Sequence, residues 1–251
     1  MSRQRYRLAQ GVVLAALGLF FLSKLWSATL YLYINQRYAV LTVLGAVAFL
    51  ALSANAWREW WVGRPSAAGT APPTPSDCTT FSGWPLLLIA LPVALGLLIP
   101  PQPLGAAAVA NRGLNTSAPL SPVNSAPVKL SVSVAPADRN LLDWLRAFDQ
   151  AGDAQALAGE PAQVTGFVYH DPRLPASQFF VSRFVLTCCV VDATPVALLV
   201  DWPDAQRLPN DAWVQVSGSI QAGEFQGQTG PLIEADQVLT ITAPGQPYLY
   251  P

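Results

Sequence analysis

Three apolar runs with very few charged positions dominate the first hundred residues. The runs extend over Gly11 to Ile34, Tyr38 to Trp57 and Trp84 to Pro100. A helix that crosses a bilayer needs about 20 predominantly apolar residues. The first two runs reach that length, and the third is shorter and contains prolines. Residues 1–100 are therefore predicted to form a membrane anchor with two or three transmembrane α-helices, placed in the cell (inner) membrane.

Lys24 is the single charged residue of the first run and falls near its middle. A lysine in this position extends its ammonium group toward the membrane interface, or precedes a span that starts later than the run, or contacts a polar group of a partner membrane protein. The sequence leaves all three interpretations open.

The second half of the chain changes to a period of two, which is typical of β-strands. Aromatic and β-branched residues alternate with polar ones in short stretches separated by Pro- and Gly-rich turns. The stretches are Gln163 to Tyr169, Gln178 to Thr187, Val196 to Val200, Ala212 to Ile220 and Leu232 to Thr242. Five such strands in about 90 residues predict an all-β domain, and their order fits a small OB-like five-stranded barrel. Gly218 lies where a barrel strand must bend.

Between the two halves the composition changes again. Residues 101–137 are rich in Pro, Ala and Ser and are predicted to be an extended linker. Residues 138–251 form the predicted soluble domain, which begins with a short helix and continues as the barrel from about residue 160. Asp138 is the predicted N-cap of that helix, and Gly152 is expected to interrupt it.

Charge separates the halves further. Residues 1–112 carry eight basic and two acidic side chains, whereas residues 113–251 carry six basic and thirteen acidic ones. The net charge of −1 offers no excess of positive charge for nucleic-acid phosphates, so no nucleic-acid partner is expected. A basic apolar half followed by an acidic half is typical of a membrane anchor joined to a water-soluble domain.

The basic residues also predict an orientation. With three spans and the N-terminus inside, five basic residues lie inside and two outside, which agrees with the positive-inside bias. The barrel is then extracytoplasmic, and it is cytoplasmic if the third run does not cross the membrane.

Candidate chemistry is sparse. Cys188 and Cys189 end the second predicted strand, His170 ends the first, and Asp192 follows the cysteines. Together they are the candidate ligands of a zinc-type metal ion. In a simple hairpin, however, His170 and Cys188 lie at opposite ends. A strained vicinal disulfide and purely structural cysteines are the alternatives.

No enzyme is predicted. The sequence contains one histidine, no Gly-x-Ser-x-Gly elbow and no phosphate-binding or dinucleotide fingerprint.

The stretch GFVYHDPRLPASQFFVSRFVLTCCVVDA, which starts at Gly166, resembles the signature of the YcgQ-like family of bacterial permease subunits. GFVY, SRF, the cysteine pair and Asp192-Ala193 are its most specific parts, and the ending PYLYP resembles the C-terminal end of that family. The resemblance implies that the protein acts with a polytopic membrane permease, and it suggests a metal-related role.

Two functions follow as hypotheses. The first is an accessory subunit of a two-component permease, whose barrel binds substrate or regulates the polytopic partner in the lipid bilayer. The second is a stand-alone membrane-tethered binding or redox protein that uses Cys188 and Cys189.

Overall fold

The computed structural model describes residues 3–62, 84–114, 135–152, 154–225 and 227–251. The chain divides into two compact units, Met1–Gln102 and Pro103–Pro251, which are described separately. Cys78 and the Pro-rich loop around it lie outside the described residues.

Three apolar helices make up the first unit: α1 (Arg3–Trp26), α2 (Ala39–Val62) and α3 (Trp84–Leu98). The first two are long and apolar enough to cross a membrane. At about 1.5 Å per residue, the 15 residues of α3 extend roughly 22 Å, less than the ~30 Å of a bilayer core. Whether α3 crosses the membrane therefore stays a prediction.

Lys24 does not lie in the middle of a span, as the first apolar run suggested. The helix begins at Arg3, ahead of that run, and ends at Trp26, so Lys24 falls in its last turn. The rest of the run forms a 3₁₀ turn, Thr29–Leu32. A cation in the last turn of a helix is favoured by the helix dipole, which is why Lys24 is tolerated there.

Small residues hold α1 and α2 close together. A Cβ atom on Gly11 would lie 2.6 Å from the ring of Trp57, and one on Gly18 would lie 2.8 Å from Leu50. The Ser53 hydroxyl donates a hydrogen bond to the Gly11 carbonyl over 2.8 Å. Close backbone approach with an interhelical hydrogen bond is the usual packing of membrane helices.

The second unit contains six strands: β1 (Pro161–Tyr169), β2 (Gln178–Val185), β3 (Thr194–Asp201), β4 (Trp213–Phe225), β5 (Gln228–Thr240) and β6 (Tyr248–Leu249). The order β1-β4-β5-β3-β2, with an additional β1–β2 pairing, closes five strands into a barrel. All of its pairings are antiparallel except β3–β5, which is parallel. The predicted OB-like barrel is confirmed, and β6 is an extra strand parallel to β2.

The period-two pattern of the sequence becomes the barrel wall. Alternate residues of each strand, such as Val164 and Val168 of β1 and Val181 and Val185 of β2, form one buried cluster. The ladder between β4 and β5 shifts register between Ser217 and Gly218, at the predicted bend.

Helix α5 (Leu141–Ala151) contributes to the same core. Leu141, Leu142, Trp144 and Leu145 belong to the cluster of interior barrel residues. The N-cap is Asn140, not the predicted Asp138, because Asn140 and Asp143 form a reciprocal capping box. The helix ends at Gly152, whose φ of 69° suits the left-handed C-cap position.

The predicted linker contains a helix. Its segment Ala106–Arg112 forms α4, which contacts β1 and β3 of the barrel. Consecutive alanines favour helix, and Val109 is 1% exposed because it packs on the outer wall of the barrel. The segment therefore differs from the predicted extended tether over these residues.

Candidate functional site

The connection between β2 and β3, residues 186–193, holds three of the four predicted metal ligands and is called the cysteine loop here. The Asp192 carboxylate accepts hydrogen bonds from the backbone amides of Thr187, Cys188 and Cys189 at 3.2, 2.6 and 3.4 Å. Asp192 thus shapes the turn that presents the cysteines. Both of its oxygens are occupied by backbone donors, so its observed role is structural.

The two thiols are free, with Cys188 exposed and Cys189 half-buried. The pKa of Cys188 is raised, first by desolvation and then by the neighbouring Cys189 and Asp192. A raised pKa keeps the thiol protonated at neutral pH, which lowers its reactivity as a nucleophile. The loop therefore displays a thiol pair in which Cys188 is not activated by a lowered pKa.

His170 lies apart from the cysteine loop. Tyr169 pairs with Phe180 near the start of β2, and the cysteines follow the other end of that strand. The eight residues of β2 extend about 25 Å at ~3.3 Å per residue. Among the described residues, no group of three or more His, Cys, Asp and Glu side chains could hold a metal ion. These residues do not fit a tetrahedral zinc site, and the metal ion stays a prediction.

A cavity of about 370 Å³ lies beside His170, bounded by residues 170–178 and 206–210. His170 Nε2 lies 2.7 Å from the Leu208 carbonyl oxygen, and the His170 amide donates to Asn210 Oδ1 over 2.8 Å. The pKa of Asp171 is lowered, mainly by its hydrogen bond with the Arg173 guanidinium. His170 and Asp171 are therefore held by hydrogen bonds to the surrounding loops, as in a stable loop junction.

The outer face of β2 and β3 is covered by the chain itself. OB-folds commonly bind ligands on this face and on its flanking loops. Here Phe180 is 1% exposed, because Phe225 at the end of β4 packs edge-on against it with ring centroids 5.0 Å apart. The Arg173 guanidinium in turn lies over the Phe225 ring, 5.3 Å from its centroid. The face that these barrels usually offer to ligands is closed in this structure.

Helix α4 is bound to the barrel at three points. The Leu104 amide donates to the Tyr248 hydroxyl over 2.9 Å, and the Ala106 amide donates to Asp211 Oδ1. The Arg112 guanidinium donates to the carbonyls of Val190 and Ala193 in the cysteine loop. We call these contacts, together with Val109, the α4 clamp.

Signature residues of the resemblance support the strands and the C-terminal segment to which the α4 clamp binds. Gly166 lets β1 approach β2, since a Cβ atom there would lie 2.6 Å from the Ser182 carbonyl oxygen. Arg183 donates to the carbonyls of Pro247 and Gln246 and so fixes the C-terminal segment that carries Tyr248. Burial lowers the pKa of Arg183, and carbonyl acceptors compensate for part of its lost hydration.

The α4 clamp was not predicted from the sequence. Gly105, which precedes the alanine run, is the residue of the clamp whose type is most constrained. A Cβ atom on Gly105 would lie 2.2 Å from Asp211 Oδ1. Glycine has no side chain to cap α4, so Asp211 supplies the cap from more than a hundred residues away. A lone glycine before an alanine run gives no indication of that partner.

Asp192 and the two cysteines of the cysteine loop are expected to affect stability differently. We expect Asp192→Ala to lower the free energy of unfolding by about 1–2 kcal/mol, as the loss of an N-cap does. Because their side chains are not buried, Cys188→Ser and Cys189→Ser should change it by less than about 0.5 kcal/mol. Urea denaturation of each variant measures both effects.

The double serine variant is also expected to impair the function of the complex while leaving membrane insertion intact. A double alanine variant with full function would contradict a chemical role of the thiols. Zinc titration of the reduced protein adds a second test, in which His170→Ala should leave any zinc binding unchanged because His170 lies apart from the loop.

Comparison with known proteins gives two sequence relatives. A 94-residue stretch is 28% identical to UPF0703 protein YcgQ of Bacillus subtilis (strain 168) and covers 37% of this chain and 33% of that protein. A 197-residue stretch is 23% identical to a Streptococcus mutans protein named "Putative two-component membrane permease complex subunit" and covers 65% of this chain and 72% of that protein. The chain thus matches only a third of the length of the Bacillus relative.

Two solved structures resemble part of the chain, each over 34% of its length. One is the OBody AM2EP06 bound to hen egg-white lysozyme, 20% identical, with 83% of that chain covered and a TM-score of 0.25. The other is a small single-stranded DNA-binding protein from Streptomyces coelicolor, 17% identical, with 94% covered and a TM-score of 0.24. TM-scores this low do not establish a shared fold, so the assignment of the barrel is based on its strand order.

Family profiles cover nearly the whole sequence. The DUF1980 N-terminal domain matches residues 9–115 and the DUF1980 C-terminal domain matches residues 127–251. With the two relatives, these matches confirm the resemblance seen in the signature and in the C-terminal PYLYP, and the chain belongs to the DUF1980 family.

Proposed function

We propose that this protein is the accessory, membrane-anchored subunit of a two-component permease and that its barrel regulates a polytopic partner. The name of the streptococcal relative supports a permease-associated role. Two helices of membrane-spanning length in the same chain as a closed barrel support an anchored subunit.

The α4 clamp is the observation that carries the proposal. Seven residues separate the end of α3 at Leu98 from the start of α4 at Ala106. Because hydrogen bonds join α4 and the residue Leu104 before it to three separate regions of the barrel unit, the chain that leaves the membrane helices joins a rigid body. A short connection into a rigid body can transmit a displacement, which a long flexible tether would dissipate.

Regulation is favoured over substrate capture because the usual ligand face of the barrel is covered by Phe225 and its neighbours. The cysteine loop is the better candidate contact surface. Val191 is 83% exposed at its tip, and the loop is tied to α4 through Arg112. A partner that touches this loop would act on the same element that leads to the membrane helices.

Co-purification from native membranes tests the proposal. A stable partner with many spans is the expected result. A protein isolated alone, whose two thiols are reversibly oxidised to a disulfide, would instead support the stand-alone redox alternative. Arg112→Ala should leave the partner bound and weaken its regulation. The matched control is Arg207→Ala, which removes an exposed arginine of the same unit that pairs with Asp204 nearby in sequence.

The orientation of the barrel is part of the proposal. With α3 as a third span, the positive-inside bias places the barrel outside the cytoplasm. We expect a C-terminal reporter that functions only in the cytoplasm to be silent. An active reporter would contradict this orientation and leave two crossing helices.

A further inference from the structure

The first unit contains an apolar cavity of about 350 Å³ at the C-terminal end of α1. Its wall comes from α1, from the turn that follows it and from the end of α3. The residues that define this α1–α3 cavity are Phe20, Phe21, Leu30, Ile34, Gly96 and Ile99. Lys24 also lines it and is the one charged residue that does so.

The ammonium group of Lys24 has an aromatic neighbour, and none of the ion pairs among the described residues includes it. Its Nζ atom lies 5.4 Å from the centroid of the Phe20 ring. A cation beside an apolar cavity near the end of a membrane helix is complementary to an anionic group that carries an apolar chain.

Gly96 is what keeps the cavity wall in place. A Cβ atom on Gly96 would lie 2.4 Å from Cζ of Phe20. The ring of Phe20 therefore lies directly against the α3 backbone, and any larger residue at position 96 would have to displace this ring from its place in the cavity wall.

We propose that the α1–α3 cavity binds one anionic phospholipid, with an acyl chain in the cavity and the phosphate beside Lys24. The charge of Lys24 decides against an apolar helix of a partner protein, because such a helix brings no anionic group to the one charged residue that lines the cavity. A phospholipid supplies both the anionic group and the apolar chain. This proposal requires membrane insertion and does not depend on the proposed permease partner.

Native mass spectrometry of the full chain, in mixed micelles with equal amounts of phosphatidylglycerol and phosphatidylcholine, tests the proposal. We expect phosphatidylglycerol to be retained roughly five-fold better, as one lysine near an anionic headgroup provides. Lys24→Gln should abolish that preference. Arg37→Gln is the matched control, because Arg37 follows the same turn in sequence but does not line the cavity. Equal retention of both lipids by the unmodified chain, or an unchanged preference in Lys24→Gln, would overturn the proposal.

The acyl chain needs its own test. Gly96→Ala and Gly96→Leu should progressively reduce retention of both lipids, because Gly96 lines the cavity and the added side chain both fills it and disturbs the Phe20 ring of its wall. A melting temperature for each variant separates this loss from unfolding, and Gly96→Ala that remains folded with full lipid retention refutes the acyl-chain site. Free glycerol phosphate should not displace the lipid, and displacement by it would identify a site for a soluble phosphate instead.

Discussion

Removing α4 from the second unit is expected to lower the free energy of unfolding of that unit by about 3–5 kcal/mol. Full burial of one valine contributes roughly 1.5–3 kcal/mol, and Val109 is joined by partly buried Leu104 and Leu114 on the same wall. The loss exposes Phe167, Phe184 and Trp213, against which α4 packs. The free energy of unfolding of an ordinary domain is about 5–15 kcal/mol, so the unit without α4 would retain only part of its stability.

Two fragments make the measurement. Residues 103–251 include α4, and residues 135–251 lack it. Urea denaturation followed by tryptophan fluorescence reports on the wall directly, since Trp213 lies in the cluster that α4 covers. Equal stability of the two fragments would contradict the α4 clamp.

The intervening residues 115–134 supply the control. Leu114 packs on the barrel, and the 3₁₀ turn Pro136–Asp138 contacts β1, so both ends of this segment are attached to the same unit. Replacing it by a Gly-Ser sequence of equal length keeps α4 and the length of the connection, so the loss that belongs to α4 is the difference in stability between this variant and residues 135–251.

The barrel could be predicted from the sequence because its signal is local. A strand that faces a core on one side must alternate apolar and polar residues, and the turns between strands need Gly and Pro. The five predicted stretches accordingly correspond to β1–β5. The two-residue strand β6 was missed, since two residues are too few to show a period.

The clamp could not be predicted because its partners are far apart in the chain. The contacts of Ala106 with Asp211 and of Arg112 with Ala193 join positions separated by 105 and 81 residues. No periodicity links such positions. An Ala- and Pro-rich segment looks like a linker until the surface that it covers is known, so helix propensity alone did not decide its structure.

The candidate site was predictable in part. The hairpin argument separated His170 from Cys188, and the structure places them at opposite ends of β2. The role of Asp192 was not predictable, because a carboxylate near two cysteines is as typical of a metal ligand as of a turn. Its hydrogen bonds to three backbone amides, which no residue pattern specifies, make the difference.

The bend of β4 at Gly218 brings its backbone close to the backbone of β5. A Cβ atom there would lie 2.0 Å from the Glu234 carbonyl oxygen and 2.8 Å from the Ala235 Cα. Both neighbours are backbone atoms of β5, so no side-chain rotation can relieve the overlap. We expect Gly218→Ala to lower the free energy of unfolding by about 3 kcal/mol, the upper range for overpacking, since the β4–β5 ladder must shift to make room.

Gly230 is the matched control, because it lies on β5 in the same hairpin and a Cβ atom there meets nothing within 4 Å. Its φ is not positive, so alanine fits the native backbone and restricts the unfolded chain. Gly230→Ala should therefore leave stability unchanged or raise it by up to about 1 kcal/mol. Thermal unfolding of residues 103–251 compares the two variants. Similar melting temperatures would show that β4 does not need its bend at Gly218, and the closure of the barrel would then require another explanation.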